Sequence, residues 1–457
     1  MLDTHIQNEL IKIAGRARYF DRQEELTCYA YDAFVKEALP DAVILPETTL
    51  EVSGILKTAS RFKIPVTGRG AGTSVCGAPV PIRKGIVLCF SKMDRIIEIN
   101  TRDRYITVQP GVINADVQKA LAPFGFFYPP DPGSMNTSTI GGNIAQDAGG
   151  PRCLKYGVTH DYVLGLEVCL ASGKIIRFGS KNIKDVTGYK LASLFCGSEG
   201  TLGIITEAIL KVRPLPETVK TLMVTFDDLD NTANAVTDII GSGIIPAAME
   251  LMDKLTLNAI EDGANLGLDR KAKGSLLIEI DGVKEACEKE MKQIIEKVKQ
   301  NGAVGVQEAG SELEREKLWA ARRSAYAVFA KLAPDIISED VTVPVSKVPL
   351  MIRKIIAITD KYGLKAGVLA HAGDGNMHPM IPTDRENKEE WEKVENAFSE
   401  IFRAAAELGG TLSGEHGIGL AKSDYLPLVM NNDTIEFMKK IKQAVDPDLI
   451  LNPGKFV

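Results

Sequence analysis

The sequence predicts an α+β protein, and two observations support that fold class. Residues 41–217 alternate short β-rich runs with glycine-rich turns, whereas from about residue 219 strands and helices follow one another in two successive β–α–β units. A length of 457 residues allows two or three domains with sizeable cores. We therefore expect a glycine-rich α+β domain and a separate ferredoxin-like layer.

The first region contains elements that local patterns assign. A capping box of Thr48 and Glu51 marks the start of a helix that ends near residue 62. The β-rich runs 96–100 and 104–110 form a candidate hairpin across the sequence TRDR. The remaining elements of this region are the strands 41–46, 65–67 and 85–90 and the helix 114–124.

The second region repeats the order strand, helix, strand. Its helix 284–300 has one apolar face at helical spacing, formed by Cys287, Met291, Ile294, Ile295 and Val298. The elements around it are the strands 221–226, 246–251, 275–280 and 303–308 and the helix 230–241. Farther along the chain we expect the helices 312–332, 347–362 and 387–408 and the strands 340–344 and 365–371.

Composition excludes several classes of protein. A net charge of −6 argues against nucleic acid or an anionic membrane as the main partner. No apolar run approaches the roughly 18 residues that span a bilayer. The charged residues among the first twelve exclude a secretory signal, so we expect a cytoplasmic protein. The seven cysteines show no C-x-x-C spacing, which predicts reduced thiols rather than an iron–sulfur or zinc cluster.

Three of the five histidines lie between residues 371 and 416. If Gly373–Asn376 is a four-residue hairpin loop, His371 lies directly opposite His378, with Cβ atoms about 4.5–5.5 Å apart. Glu415 and His416 add a carboxylate and a third imidazole in a glycine-flanked segment. Any one of these residues alone would be a hydrogen-bonded turn residue, but the cluster favours a metal with open coordination positions.

The identity of the metal stays open, because zinc, manganese and iron all accept two imidazoles and a carboxylate. Adjacent side chains of an extended segment diverge. One of Glu415 and His416 can therefore hold the metal while the other faces the substrate. A metal that polarises a hydroxyl, next to an imidazole that removes its proton, is a catalytic arrangement.

Three glycine-rich runs, 68–77, 133–150 and 197–203, supply backbone that can approach a large ligand. The first run is neither a Walker A loop nor G-x-G-x-x-G, since no lysine precedes Thr73 and position 73 is not glycine. Each run alone is compatible with a structural turn. Together the three runs predict a cradle for a pyrophosphate and an adenine without a Rossmann helix.

These motifs carry a family resemblance. PVTGRGAGTSVCG (65–77), PPDPGS (129–134) with TIGGNIA (139–145), and CGSEGTLGIIT (196–206) resemble the FAD domain of the vanillyl-alcohol-oxidase/PCMH flavoprotein superfamily. HAGDGNMH (371–378) and SGEHGIG (413–419) are similar to its D-2-hydroxyacid dehydrogenase branch, which includes D-lactate dehydrogenases and the large subunit of glycolate oxidase. The resemblance runs from about residue 20 to 455.

The resemblance implies a set of site residues. It places FAD on Gly68, Arg69, Gly70, Ala71, Gly72, Thr73, Ser74, Pro132, Gly133, Ser134, Thr139, Gly142, Asn143, Ala145, Gly149, Glu199, Gly200, Ile205 and Asn452. It assigns His371, His378 and Glu415 to a divalent metal and His416 to the catalytic base. Arg322 would bind the substrate carboxylate, although an exposed helix arginine is an equal alternative, and Asn376 would contact the hydroxy acid or the flavin.

The resemblance also implies the domain organisation. We expect a PCMH-type FAD-binding domain with an N-terminal helix in residues 1–217. Residues 218–410 would form a cap domain of the FAD-linked oxidase C-terminal type. Residues 411–457 would return to complete the flavin site.

Two departures from the family pattern refine the expected function. Thr73 stands where some superfamily members attach FAD through histidine, which implies non-covalent FAD. Ile337-Ser338-Glu339 stands where the branch acting on larger diacids has a lysine, which favours D-lactate or glycolate. We expect hydride transfer to FAD and onward transfer to an electron-transfer flavoprotein or an iron–sulfur subunit. The alternatives are a non-catalytic FAD-binding relay subunit and a metal-dependent hydrolase without flavin.

Overall fold

A computed structural model describes residues 2–265 and 267–456. The strands are β1 Tyr19–Phe20, β2 Ala42–Ile44, β3 Val66–Arg69, β4 Ile86–Cys89, β5 Ile96–Asn100, β6 Tyr105–Val108, β7 Phe126–Phe127, β8 Val163–Cys169, β9 Ile175–Gly179, β10 Ile204–Lys211, β11 Arg213–Pro214, β12 Thr218–Phe226, β13 Ala248–Asp253, β14 Gly274–Gly282, β15 Ala303–Glu308, β16 Asp335–Ser338, β17 Val341–Thr342, β18 Gly367–His371 and β19 Asn376–Thr383.

The α-helices are α1 Thr4–Ala14, α2 Gln23–Thr27, α3 Thr49–Phe62, α4 Asn114–Leu121, α5 Ile140–Gln146, α6 Cys153–Tyr156, α7 Leu191–Phe195, α8 Leu229–Gly241, α9 Lys254–Ala264, α10 Lys284–Gln300, α11 Glu312–Phe329, α12 Val348–Lys361, α13 Lys388–Glu407 and α14 Asn432–Val445. Short 3₁₀ helices lie at Arg16–Arg18, Ala122–Phe124, Thr159–Tyr162, Val345–Lys347 and Ser423–Leu428. None of the helices in the described ranges is both long and apolar enough to cross a lipid bilayer.

The chain divides into two compact units. The first unit comprises Met1–Gly149, Val158–Leu215 and Glu415–Val457, and the second comprises Gly150–Gly157 and Pro216–Gly414. The chain passes between units at the peptide bond that joins Gly414 to Glu415. This division differs from the predicted domains at residues 150–157, 216–217 and 411–414.

The first unit contains two main sheets. One has four strands in the order β1-β2-β4-β3, and β4 pairs in parallel with both β2 and β3. The other has five antiparallel strands in the order β5-β6-β10-β8-β9, and it includes the predicted hairpin of β5 and β6. Thr48 caps α3 as expected by accepting a hydrogen bond from the Glu51 amide. The buried face of α3 packs into an apolar core with Ala42, Ile44, Val66, Ile86 and Leu88.

The second unit is built on one eight-stranded sheet. Four of its strands lie in the order β15-β12-β14-β13, which is the ferredoxin-like arrangement predicted from the two β–α–β units. The strands β18, β19 and β16 extend the sheet beyond β13, and β17 pairs with β19. The α+β fold class is confirmed. The sequence pattern did not indicate β16, and it overestimated the length of β17.

The helices α9 and α11 cover one face of this sheet. Their residues Leu257, Ile260, Trp319, Ala325 and Phe329 share a core with alternate residues of five strands: Met223, Ala248, Met252, Leu277, Leu369 and Met380. Alternation along a strand then fixes which other side chains point to the same face. Glu250, His371 and His378 lie two residues from Met252, Leu369 and Met380 respectively, so they share the face that α9 and α11 cover.

Candidate active site

The three glycine runs of the first unit converge. Gly70 lies so close to Thr139 that an added Cβ atom would be 2.2 Å from the threonine hydroxyl oxygen. Thr139 caps α5 by accepting a hydrogen bond from the Gly142 amide. The amide of Glu199 donates to the carbonyl of Ala145 at 2.8 Å, which ties the third run to the second. The three runs are therefore brought together within the first unit.

Arg69 lies beneath the first glycine run. Its guanidinium is buried, and an added Cβ atom at Gly72 would be 2.1 Å from its Nη2 atom. Nη1 donates to the carbonyl of Tyr31 at 2.7 Å. Burial lowers the pKa of Arg69, although the guanidinium ordinarily remains protonated near neutrality. A buried cation next to a glycine-rich turn is suited to a phosphate ligand.

The second run supplies a buried donor for a ligand. Asn143 is buried, and its Nδ2 group has no hydrogen-bond partner among residues 2–265 and 267–456. A buried donor without an acceptor costs about 1–3 kcal/mol, so a ligand that offers an acceptor here is favoured. The Pro132 carbonyl accepts a hydrogen bond from the Met135 amide, and the Ser134 carbonyl accepts from the Thr137 and Ser138 amides, so two turns overlap here. Gly133 is exposed in the first turn and has no atoms within 4 Å of an added Cβ.

Glu199 and Asn452 join separate chain segments of the first unit through hydrogen bonds. The Glu199 carboxylate accepts hydrogen bonds from the amides of Ile418 and Gly419 at 2.7 and 2.9 Å. Asn452 donates through Nδ2 to the carbonyls of Glu199 and Ala78. Burial raises the pKa of Glu199 against the effect of the two amides. Both residues thus connect segments that the sequence had placed at the cofactor.

The segment that carries Glu415 and His416 is fixed at its far end by the first unit. Gly417 and Gly419 both have positive φ, and an added Cβ atom at Gly419 would be 2.2 Å from the carbonyl oxygen of Cys76. The Leu420 amide donates to that same carbonyl at 2.7 Å. Glycine is required here because the backbone is left-handed and packs directly on the first glycine run.

Gly414, the residue before this segment, is held by hydrogen bonds within the second unit. The Gly414 amide donates to the carboxylate of Asp340 at 2.7 Å, and the Ser413 hydroxyl donates to the same carboxylate at 2.9 Å. An added Cβ atom at Gly414 would be 2.6 Å from the side-chain carbon of Asn376. No sequence motif indicated Asp340, because its hydrogen-bond partners lie 73 and 74 residues away along the chain.

The hairpin of β18 and β19 brings two predicted metal ligands together in the second unit. The ring centroids of His371 and His378 are 5.1 Å apart and nearly perpendicular, at 82°. Both side chains are buried. Asn376, also buried, lies on the same face because it is two residues from His378, and its Oδ1 atom has no hydrogen-bond partner in the described part of the chain.

The predicted register of this hairpin is wrong. His371 pairs with Asn376, and His378 pairs with Leu369, so the loop is 372–375 rather than Gly373–Asn376. Gly375 turns the chain with a φ of +85°, and the Asp374 carboxylate accepts a hydrogen bond from the Asn376 amide. The partner of His371 changes by two residues, which preserves the face of every side chain. The histidines are therefore diagonal rather than directly opposed neighbours.

Glu250, which no sequence motif indicated, contacts His371. These residues pair directly across β13 and β18, and the Glu250 carboxylate oxygens are 2.8 and 3.0 Å from His371 Nδ1. Arg322 reaches the same carboxylate through Nε and Nη2, both at 2.6 Å. Burial alone would raise the pKa of Glu250, but Arg322 and His371 outweigh it and lower that pKa. One acidic residue in the otherwise apolar run AAMEL was the available signal.

Arg322 is the arginine of WAARR that faces the sheet. Its side chain is 12% exposed, whereas the side chain of Arg323 is 45% exposed and pairs with Glu316. The structure thus does not support the alternative that Arg322 is an exposed helix arginine. No hydrogen bond from Nη1 of Arg322 is made within the described residues, so this group can still donate to an anion.

Comparisons with known proteins agree with this architecture. The family description "FAD binding domain" matches residues 40–179, and "FAD linked oxidases, C-terminal domain" matches residues 215–456. The glycolate oxidase subunit GlcD of Bacillus subtilis is 49% identical over 456 residues, covering 100% of this chain and 97% of that protein. A D-lactate dehydrogenase of Archaeoglobus fulgidus is 36% identical and covers 91% of each chain.

Solved structures show the same fold at low sequence identity. Substrate-bound p-cresol methylhydroxylase matches with a TM-score of 0.81 at 18% identity, covering 99% of this chain and 96% of that one. An alkyldihydroxyacetonephosphate synthase matches with a TM-score of 0.79 at 19% identity, covering 100% and 86%.

Proposed function

The chain belongs to the FAD-linked oxidase family, and on that premise we propose that it oxidises a small D-2-hydroxy acid, D-lactate or glycolate, to the 2-oxo acid. The pair of imidazoles on one buried face of the second unit carries this proposal, because an FAD-binding fold alone does not specify a substrate. Relatives named glycolate oxidase subunit and D-lactate dehydrogenase support the substrate class.

We propose that FAD binds non-covalently in the cradle of the three glycine runs. The backbone amides near Gly70, with the buried Arg69 cation next to this run, would hold the pyrophosphate. The unsatisfied amide group of Asn143 would donate to the cofactor. Thr73 offers no nucleophilic imidazole for covalent attachment. When bound, FAD supplies the two-electron acceptor, with N5 receiving a hydride.

A divalent metal would be held by His371, His378 and Glu415. Two imidazoles with ring centroids 5.1 Å apart suit a shared ion, and the donor set of two nitrogens and a carboxylate leaves positions for substrate. Glu415 directly follows Gly414, whose amide donates a hydrogen bond to Asp340 of the second unit. Such an ion would lower the pKa of the substrate hydroxyl. The donor set accepts zinc, manganese or iron.

The protein side chains would then bind the substrate and move its proton. Nη1 of Arg322 would donate to the substrate carboxylate, while Glu250 keeps the guanidinium plane in place. The buried Asn376 would contact the hydroxy acid. His416 would accept the hydroxyl proton as the Cα–H bond breaks and its hydride leaves for the flavin. Loss of the proton and the hydride converts the alcohol into the 2-oxo acid.

The reduced flavin requires an acceptor outside this chain. None of the seven cysteines forms a disulfide in the part of the chain that the structure describes, and they lack the spacing of a cluster-binding segment. We propose an electron-transfer flavoprotein or an iron–sulfur subunit as that acceptor.

An anaerobic titration tests the proposal. The FAD-loaded protein is mixed with D-lactate or glycolate, with L-lactate as the matched control, and the visible flavin absorbance is followed. We expect D-lactate or glycolate to bleach the flavin absorbance. Removal of the metal with a chelator should abolish this bleaching, and addition of metal should restore it. Flavin that stays oxidised with both substrates would contradict the proposal and favour a relay subunit, whereas bleaching unaffected by complete metal removal would contradict the role of the metal.

A further inference from the structure

A carboxylate without solvent contact lies at the centre of the second unit. Glu250 has 0% exposure and occupies β13 between Met249 and Leu251, in the middle of the eight-stranded sheet. Removing a carboxylate from water costs several kcal/mol unless it is paired and fully hydrogen-bonded. An apolar residue at this position would be compatible with the strand, so the acid requires an explanation in terms of its partners.

Those partners are the two groups on which the proposed chemistry depends. The carboxylate contacts Nδ1 of His371 on one side and Nε and Nη2 of Arg322 on the other. A charged carboxylate can only accept, so Nδ1 of His371 carries the proton in this contact. The other ring nitrogen, Nε2, is then the one with a lone pair for a metal.

A second buried carboxylate shows what a purely structural role looks like. Glu279 in β14 accepts hydrogen bonds from Thr221, Arg315 and Trp319, and it touches no histidine within the described ranges. Arg315, Trp319 and Arg322 lie on one face of α11, since they are four and three residues apart. Glu279 and Glu250 therefore both attach α11 to the sheet, but only Glu250 also contacts the imidazole.

We propose that Glu250 is a positioning residue that fixes the tautomer and ring orientation of His371 for metal binding and, through the same carboxylate, the orientation of Arg322 for the substrate carboxylate. This inference rests on the proposed function, in which His371 is a metal ligand. A carboxylate that orients a metal-bound imidazole typically contributes 10–100-fold to metal affinity. Its loss should therefore weaken both metal binding and the recognition of the substrate anion.

The test compares three variants of the full-length, FAD-loaded protein. Glu250→Gln retains the shape of the side chain but places an NH₂ group against hydrogen-bond donors, and Glu250→Asp retains the charge. Glu279→Gln is the matched control, because Glu279 is a buried carboxylate of the neighbouring strand β14 that contacts the same helix, α11. Metal affinity is measured by competition between the protein and a chelator for Zn²⁺ and for Mn²⁺. The KM for D-lactate is measured at saturating metal.

We expect Glu250→Gln to lower metal affinity by about 10–100-fold and to raise the KM, with partial rescue in Glu250→Asp. Glu279→Gln should lower thermal stability yet bind metal within about twofold of the parent. Equal metal affinity in Glu250→Gln and the parent would overturn the inference, as would equal losses in Glu250→Gln and Glu279→Gln. If Glu250→Gln does not fold, the comparison of Glu250→Asp with Glu279→Gln decides by the same criteria.

Failure of the proposed function gives a different result. If the His371→Ala variant binds metal as tightly as the parent, His371 is not a ligand and the proposed metal site is wrong. If metal affinity is lost in His371→Ala but unchanged in Glu250→Gln, the proposed metal site stands and only the positioning role of Glu250 is refuted.

Discussion

Replacing Asp253 by asparagine should change how the stability of the second unit depends on pH. Asp253 is buried, and its carboxylate caps α9 by accepting a hydrogen bond from the Thr256 amide at 2.9 Å. Burial raises the pKa of Asp253 from 3.8 to about 6, although the Thr256 hydrogen bonds oppose the shift. The folded state therefore holds this proton between about pH 4 and pH 6, where the unfolded chain has released it.

The sign and size of the effect follow from linkage. Because unfolding releases the proton in this window, the carboxyl's contribution is fully present below about pH 4 and is lost as pH rises to about 6. A shift of about two pKa units corresponds to roughly 3 kcal/mol. The amide introduced by Asp253→Asn would keep the capping oxygen but not titrate. The unfolding free energy of the variant minus that of the parent should therefore rise by up to roughly 3 kcal/mol between pH 4 and pH 7.

Denaturant unfolding followed by tryptophan fluorescence measures this difference, since both tryptophans, Trp319 and Trp391, belong to the second unit. The asparagine side chain can also change the unfolding free energy by an amount that does not depend on pH. This amount cancels, because the test compares the variant-minus-parent difference in unfolding free energy at different pH values. The matched control is Asp228→Asn, which alters an exposed N-cap at α8 in the same unit. A difference for Asp253→Asn that stays constant from pH 4 to pH 7 would contradict a raised pKa at Asp253.

Three further predictions concern the candidate site. Gly70→Ala places a methyl group 2.2 Å from the Thr139 hydroxyl and should cost about 1–3 kcal/mol with loss of FAD. Gly241→Ala, in α8 of the second unit and with no atoms within 4 Å of the added Cβ, should retain FAD; equal FAD content in both variants would contradict the cradle. Acid denaturation should release all the FAD into the supernatant; flavin that stays with the protein would exclude non-covalent binding. His378→Ala should weaken metal binding by more than about 100-fold in chelator competition; unchanged affinity would remove this ligand.

The order of the strands and helices in the two β–α–β units was predictable because local patterns determine it, whereas β8, β9 and α9 were not predicted. The two β–α–β units of the second region each bury one apolar face, and the strand order β15-β12-β14-β13 follows from that pattern. The elements that extend the sheet were harder. β16 consists of four residues that become a strand through pairing with β19, and a run that short carries little periodicity of its own.

The register of the β18–β19 hairpin could not be predicted from the local sequence. Gly373 and Gly375 both permit a turn, and the sequence HAGDGNMH does not choose between them. The choice depends on Val343, whose carbonyl oxygen would be 2.0 Å from a Cβ atom at Gly375 and whose amide donates to the Gly375 carbonyl. That contact crosses more than thirty residues of sequence. The metal-ligand prediction was insensitive to the error, because a shift of two residues keeps both imidazoles on one face.

Glu250 could not be assigned from its sequence context, and the reason is physical. An acidic residue in a strand is usually explained by an exposed face, and AAMEL does not reveal that both faces of this strand are covered. Only the pairing of β13 with β18 places the carboxylate against His371, and only the packing of α11 on that face brings Arg322 to its other side. The residues predicted from motifs can provide ligands and a base. The residue that would keep two of them in a single orientation lies more than seventy positions from either one, so its role follows from the fold rather than from the motifs.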